Sequence, residues 1–117
     1  MALVAFTAAE LPGTMGRASR VTWAAMPVND TGSPVPNASY SDRSVQVTGT
    51  FGGSTVTIQG SNDGGTTWAT LNDSAGVALT FTSAGLREIL QVTGLIRPIV
   101  TGGSGTPNII LLIIGKQ

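Results

Sequence analysis

The sequence predicts an all-β fold, an antiparallel β-sandwich or jelly roll with an extended N-terminal arm. Three observations lead there. Stretches that alternate apolar and polar residues recur about every ten residues, the rhythm of short strands joined by turns. The segments between them are rich in Gly, which occurs 16 times, and Gly accepts the positive φ that tight turns require. Only 10% of the 117 residues are charged, against roughly 25% in an average soluble domain. That length suits one domain with a real core, divided into an arm over 1–18 and a sandwich over 19–117.

Within the arm, Thr7-Ala8-Ala9-Glu10 fits a one-turn helix with a capping box, closed by Pro12-Gly13. A first strand is expected over 19–28, with Val21, Trp23 and Ala25 on one face, and residues 29–42 read as a long loop. Ser44 to Phe51 alternates, Gly52-Gly53 makes a two-residue primed turn, and Ser54 to Gln59 alternates back. If Phe51 faces Ser54, Val47 opposes Ile58 and Thr48 opposes Thr57, so like meets like and a β-hairpin is predicted. A second hairpin turns through Ser61 to Trp68, and a further turn lies at Asn72 to Gly76. Val77, Leu79 and Phe81 then point inward, and Ser83 caps a short helix in which Leu86, Ile89 and Leu90 share a face. The last two strands are expected over 95–101 and 108–115, and Pro98, which cannot donate to a ladder, belongs at an edge or bulge.

Composition excludes several chemistries. Six Lys and Arg balance six Asp and Glu, for a formal net charge of zero, so neither a nucleic-acid backbone nor an anionic membrane is an expected partner. The absence of His and Cys removes His-based acid–base chemistry, thiol nucleophiles, disulfides and the common zinc and haem sites. No basic residue precedes the apolar start Met1 to Phe6, so no secretory signal is expected. The apolar run Ile109 to Ile114 is far short of the roughly 20 residues of a membrane helix. No enzyme activity, metal or cofactor is expected.

Two features remain. Ser61-Asn62-Asp63-Gly64-Gly65-Thr66-Thr67-Trp68 resembles the Asp-box of sialidases and other propeller proteins. Ser61, Asp63, Gly65 and Trp68 are read as a structural turn, in which Asp63 accepts backbone N–H bonds and Trp68 packs beneath. A calcium site would need several convergent carboxylates, and Asp63 is the lone acid of this turn. No pair of acids is spaced recognisably for hydrolysis. The second feature is Ile109 to Ile114, apolar on both faces where a half-solvated strand would alternate. One face can enter the core; the other needs cover from the same chain or from another subunit.

From about residue 43 onward the chain resembles small structural proteins of tailed bacteriophages, in particular head decoration (cement) proteins of jelly-roll fold. The residues that carry this are Ser44 to Gly53, Val56 to Gly64, Trp68 to Leu71 and Ile96-Arg97-Pro98-Ile99-Val100-Thr101-Gly102-Gly103. The Ser-Asn-Asp-Gly and Ile-Arg-Pro parts are also similar to discoidin-type galactose-binding jelly rolls. The resemblance implies a virion structural protein on the outer capsid surface, made in the bacterial host cytoplasm. Its partners would be the major capsid protein and a second copy of itself, since two-fold contacts are the commonest. Candidate contacts outside the strand pattern are Leu3, Phe6, Leu11, Met15, Arg17 and Tyr40. The alternative is a tail, fibre or baseplate module that binds glycans.

Overall fold

The computed structural model describes residues 3–10, 18–36 and 40–115. They form twelve strands: β1 (Leu3–Val4), β2 (Thr7–Glu10), β3 (Ala18–Trp23), β4 (Thr31–Gly32), β5 (Val35–Pro36), β6 (Tyr40–Thr50), β7 (Thr55–Ser61), β8 (Ala69–Thr70), β9 (Thr80–Phe81), β10 (Gly85–Glu88), β11 (Leu95–Thr101) and β12 (Thr106–Gly115). One sheet runs β10-β6-β12-β3-β2; the other runs β1-β4-β11-β7-β8, with β5 also on β11 and β9 also on β7. Every pairing is antiparallel except the parallel contact of β1 with β4. The two sheets face each other over a core that includes Val21, Trp23, Val45, Val47, Val56, Ile58, Val100, Ile109 and Leu111.

The architecture follows from two long ribbons. β6, the Gly52-Gly53 turn and β7 form one; β11, the 102–105 loop and β12 form the other. They lie antiparallel and bend together over one corner, so each ribbon contributes a strand to each sheet. The register is unbroken through the bend: Thr50 opposes Thr106 in one sheet and Thr55 opposes Thr101 in the other. A pair of ribbons folded over in this way makes a jelly-roll β-sandwich.

The predicted hairpin is therefore corrected. Its turn exists, with Gly52 and Gly53 at φ 55° and 83° and the Ser54 N–H donating to the Phe51 carbonyl at 2.8 Å. Its strands part into different sheets, β6 pairing with β10 and β12, and β7 with β11, β8 and β9. The inward faces are as expected, with Val45, Val47, Val56 and Ile58 buried. Alternation specifies which way a side chain points and leaves the neighbouring strand open. Here β12, apolar on both faces, takes the central place beside β6. The inner row Ile109, Leu111 and Ile113 is buried, and β12 covers β6 more extensively than a return strand the length of β7 would.

Both short helices are strands. Thr7–Glu10 pairs with β3, Thr7 opposite Thr22 and Ala9 opposite Arg20. A single helical turn fixes several residues for one hydrogen bond, whereas the edge of β3 offers a ladder. Gly85–Glu88 pairs along β6 for the same reason, and of its supposed apolar face only Ile89 is buried while Leu86 and Leu90 are exposed. Residues 3–10 of the expected arm thus run extended and strand-paired, β1 in one sheet and β2 in the other. The 29–42 loop holds β4, β5 and the start of β6. Leu79 and Phe81 point inward as expected; Val77, 56% exposed, belongs instead to the Asp73 turn, its N–H donating to Asp73 Oδ1 at 2.9 Å. β3 ends at Trp23, so Ala25 leaves the inner face and takes φ 49°.

Pro98 sits on an inner strand, opposite Ile58 of β7. On its other side β11 meets β5 up to Ile96 and β4 at Ile99, so the proline falls where that neighbour is interrupted and no ladder donor is missed. At the opposite end of the sandwich the buried Arg43 clamps the chain between β10 and β11. Its guanidinium donates to the Gln91 carbonyl at 2.7 Å, and the Ile89 N–H donates to the Arg43 carbonyl at 3.0 Å. Burial lowers the Arg43 pKa from its ordinary value.

Candidate functional site

The Asp-box turn joins β7 to β8, which pair at Gln59–Thr70 and Gly60–Ala69. Asp63 is its hub. It accepts from the Thr67 hydroxyl, from the Thr67 N–H at 3.0 Å and from the Ser61 hydroxyl at 2.8 Å. Gly65, at φ 94°, donates its N–H to Ser61 Oγ at 3.0 Å and accepts the Trp68 indole N–H at 3.0 Å. The Arg97 guanidinium lies 4.1 Å from the Trp68 ring centre and donates to Gln59 Oε1 at 2.9 Å. All four residues read from the sequence meet in this turn. Arg97 was missed as a member, because only the β7–β11 register brings it beside Gln59.

A second turn is built alike. Asp73 accepts the N–H groups of Val77 and Ala75, and Arg87 meets its carboxylate at 2.8 Å. Arg87 also donates to the Thr80 and Ala78 carbonyls and lies 5.2 Å from the Phe81 ring centre, tying the 73–80 segment to β10.

These hydrogen bonds hold both carboxyls below the usual carboxylate range, Asp63 chiefly through the Thr67 hydroxyl and N–H, Asp73 chiefly through the Val77 N–H and then Arg87. A carboxyl depressed in the folded state contributes stability that is present above its unfolded pKa, about 3.9, and is lost as pH falls toward the folded value. The melting temperature is expected to be flat from about pH 7 to 5 and to fall below about pH 4. Asp63→Asn should lower it at neutral pH and make the acid fall shallower; melting curves across that range are the check.

Beside the Asp-box lies a cavity of about 310 Å³ lined by Ser61, Asn62, Thr67, Trp68, Thr70, Leu71, Gln91 and Thr93, with no charged side chain. Asn62 Oδ1 accepts the Gly94 N–H at 2.9 Å and Gln91 Oε1 accepts the Asn72 N–H at 2.8 Å, which orients both amide groups. Among the described residues, no group of three or more acids is placed to hold a metal ion, and no helix is long and apolar enough to cross a membrane.

The outer face of the five-stranded sheet is the other candidate surface. Its rows follow from the register. One reads Leu86, Gln46, Ile110, Thr22, Thr7; the next reads Glu88, Ser44, Leu112, Arg20, Ala9. Leu86 is 65% exposed, Ile110 and Leu112 are half-buried, and Arg20 and Glu88 are exposed. Beside Leu112 a dimple of about 120 Å³ opens between Asp42, Ser44 and Glu88. The second apolar face of β12, inferred from Ile109 to Ile114, is this stripe. Arg20, Leu86 and Glu88 had no sequence signal, since strand register alone aligns them with it.

Of the remaining contact candidates, Leu3 and Phe6 have described side chains. Leu3, on the end strand β1, is 65% exposed. Phe6 turns inward, its ring 6.0 Å from that of Trp23 at 69°. Tyr40 opens β6, but its side chain, like Leu11, Met15 and Arg17, lies outside the described residues.

No protein-family model matches the sequence, and no curated protein matches it. In structure the chain is similar to the SPBc2 prophage-derived protein YomS, with a TM-score of 0.58 over 84% of this chain and 95% of that one, at 9% identity. Weaker likenesses are an oxalate oxidase, TM-score 0.48 at 19% identity over 94% of this chain and 51% of that one, and NMB1881 from Neisseria meningitidis, TM-score 0.43 at 11% identity over 94% and 82%. At such identities the likeness to YomS is one of fold.

Proposed function

We propose that the protein is a virion structural protein, a capsid decoration or cement protein that binds the outer surface of a phage head and stabilises the lattice across neighbouring capsomers. The observation that carries this reading is a chain of zero net charge, with only 10% charged residues, whose central strand β12 is apolar on both faces, a surface suited to assembly. The fold shared with a prophage-derived protein of similar length supports it. So does the placement of Asp63 and Asp73, both engaged in holding turns; the protein is read as having no catalytic role. Binding only the assembled shell lowers its free energy relative to separated or ruptured states, and many equivalent copies add avidity.

The N-terminal segment and the region before β6 are assigned to the shell, with Leu3 as the exposed anchor on an end strand that has an open edge. Deleting residues 1–16 would also remove β1, β2 and the Phe6–Trp23 contact, so a point change is the cleaner probe. Leu3→Asp should leave the melting temperature unchanged and weaken binding to heads lacking the protein by about tenfold, near 1.4 kcal/mol. Cryo-electron microscopy of the particle tests the reading itself. Regular density on the head is expected; density at the tail alone would overturn it. That second outcome would favour a tail module, for which the neutral, amide-lined cavity beside Trp68 is the glycan site to test on an array.

A further inference from the structure

We infer that the outer face of the five-stranded sheet is filled by a second copy of this chain, packed face to face about a two-fold axis parallel to β12. This deepens the assembly reading by naming the occupant of that face. β12 is the middle of five strands, with β10 two places to one side and β2 two places to the other. Rotation about an axis along β12 lays Ile110 and Leu112 on their own counterparts. It carries the β10 column of one copy over the β2 column of the other, so Glu88 comes to lie above Ala9 of the second copy, one strand from its Arg20. Strands are about 4.8 Å apart and packed sheets about 10 Å apart, distances that the Glu and Arg side chains span together. Two such pairs form, one on each side of an apolar centre, while exposed Leu86 packs over the threonines of the opposite rim.

The alternative two-fold, lying across the strands, keeps each column over itself. It places Glu88 near Glu88 and Arg20 near Arg20, a like-charge arrangement that disfavours it. The face is thus self-complementary in one orientation and self-repelling in the other. Within a single copy Glu88 and Arg20 are three strands apart, about 14 Å, too far to pair. Any coupling between them must run between copies.

The test uses the isolated full chain without heads, so its outcome is independent of shell binding. Light scattering should report twice the 11.9 kDa chain mass at concentrations on the order of 10 μM. Arg20→Glu alone and Glu88→Arg alone, both at exposed positions, should each raise the dimer dissociation constant by about tenfold or more, and the double exchange should restore it to within about threefold. Leu112→Lys should give a folded monomer by circular dichroism; if it fails to fold, the exposed Leu86→Lys reads the same contact and should weaken the dimer. A wild-type chain monomeric at about 100 μM, folded single variants that dimerise unchanged, or a double exchange without rescue would each overturn the proposal.

Discussion

Trp23→Ala is expected to destabilise the fold by about 3–5 kcal/mol, a large part of the 5–15 kcal/mol that holds a domain together. Trp23 is 1% exposed and the largest side chain of the core. It reaches from β3 toward the other sheet, where its indole N–H donates to the Ser33 carbonyl at 3.1 Å between β4 and β5. Gly32 admits it: a Cβ there would stand 2.6 Å from the indole nitrogen and 2.5 Å from Pro98 Cδ. Phe6 closes the outer side, edge to face. Removing the ring opens a cavity between the sheets, frees a carbonyl and loosens both β4 and the Phe6 segment. The melting temperature should fall by more than about 10 °C. Urea titration followed by circular dichroism gives the free energy, and a loss under about 1 kcal/mol would mean that the segment around Phe6 collapses into the space.

Gly105→Ala should cost about 2–3 kcal/mol although it adds one methyl group. The corner where the two ribbons bend is closed by backbone contacts. Ser54 Oγ donates to the Gly102 carbonyl at 2.8 Å and accepts the Gly105 N–H at 3.1 Å, and the Ser104 N–H donates to the Gly52 carbonyl at 3.0 Å. A Cβ on Gly105 would collide with the Phe51 carbonyl group and the Thr50 carbonyl oxygen. None of these is a flexible side-chain tip, so relief requires the two ribbons to part. The loss should appear as faster hydrogen exchange at Ser54 and Gly105 as well as a lower unfolding free energy. Gly76→Ala, at an open turn where a Cβ would meet nothing, is the control: it carries the strain of a positive φ, which Gly105 does not have, but no collision, and its effect should be the smaller.

Local chemistry was legible wherever residues close in sequence decide the outcome. The Asp-box needs Ser61, Asp63, Gly65 and Trp68 within one turn, and all of them act there. The Gly52-Gly53 turn needs two positive φ values in succession and has them. The inward set of β6, β7 and β12 follows from alternation, because successive side chains on a strand leave opposite faces. The short helical readings failed at Thr7–Glu10 and Gly85–Glu88, where local propensity was outweighed by the open edges of β3 and β6.

By itself, then, the sequence determined an all-β sandwich, the direction in which its core residues point, the chemistry of its turns, and a final strand with one apolar face too many. The tertiary structure decided which strands are neighbours. That choice turned an apparent hairpin into two ribbons folded over a common corner, laid the N-terminal segment across both sheets, and put Leu86, Glu88 and Arg20 around Ile110 and Leu112. The physical reason is that a two-residue period encodes a face, while pairing is a competition among all edges that present compatible faces. β12 wins the place beside β6 because only the centre of a sheet buries the whole of one face of a long apolar strand, and the surface proposed for assembly is what remains of the other.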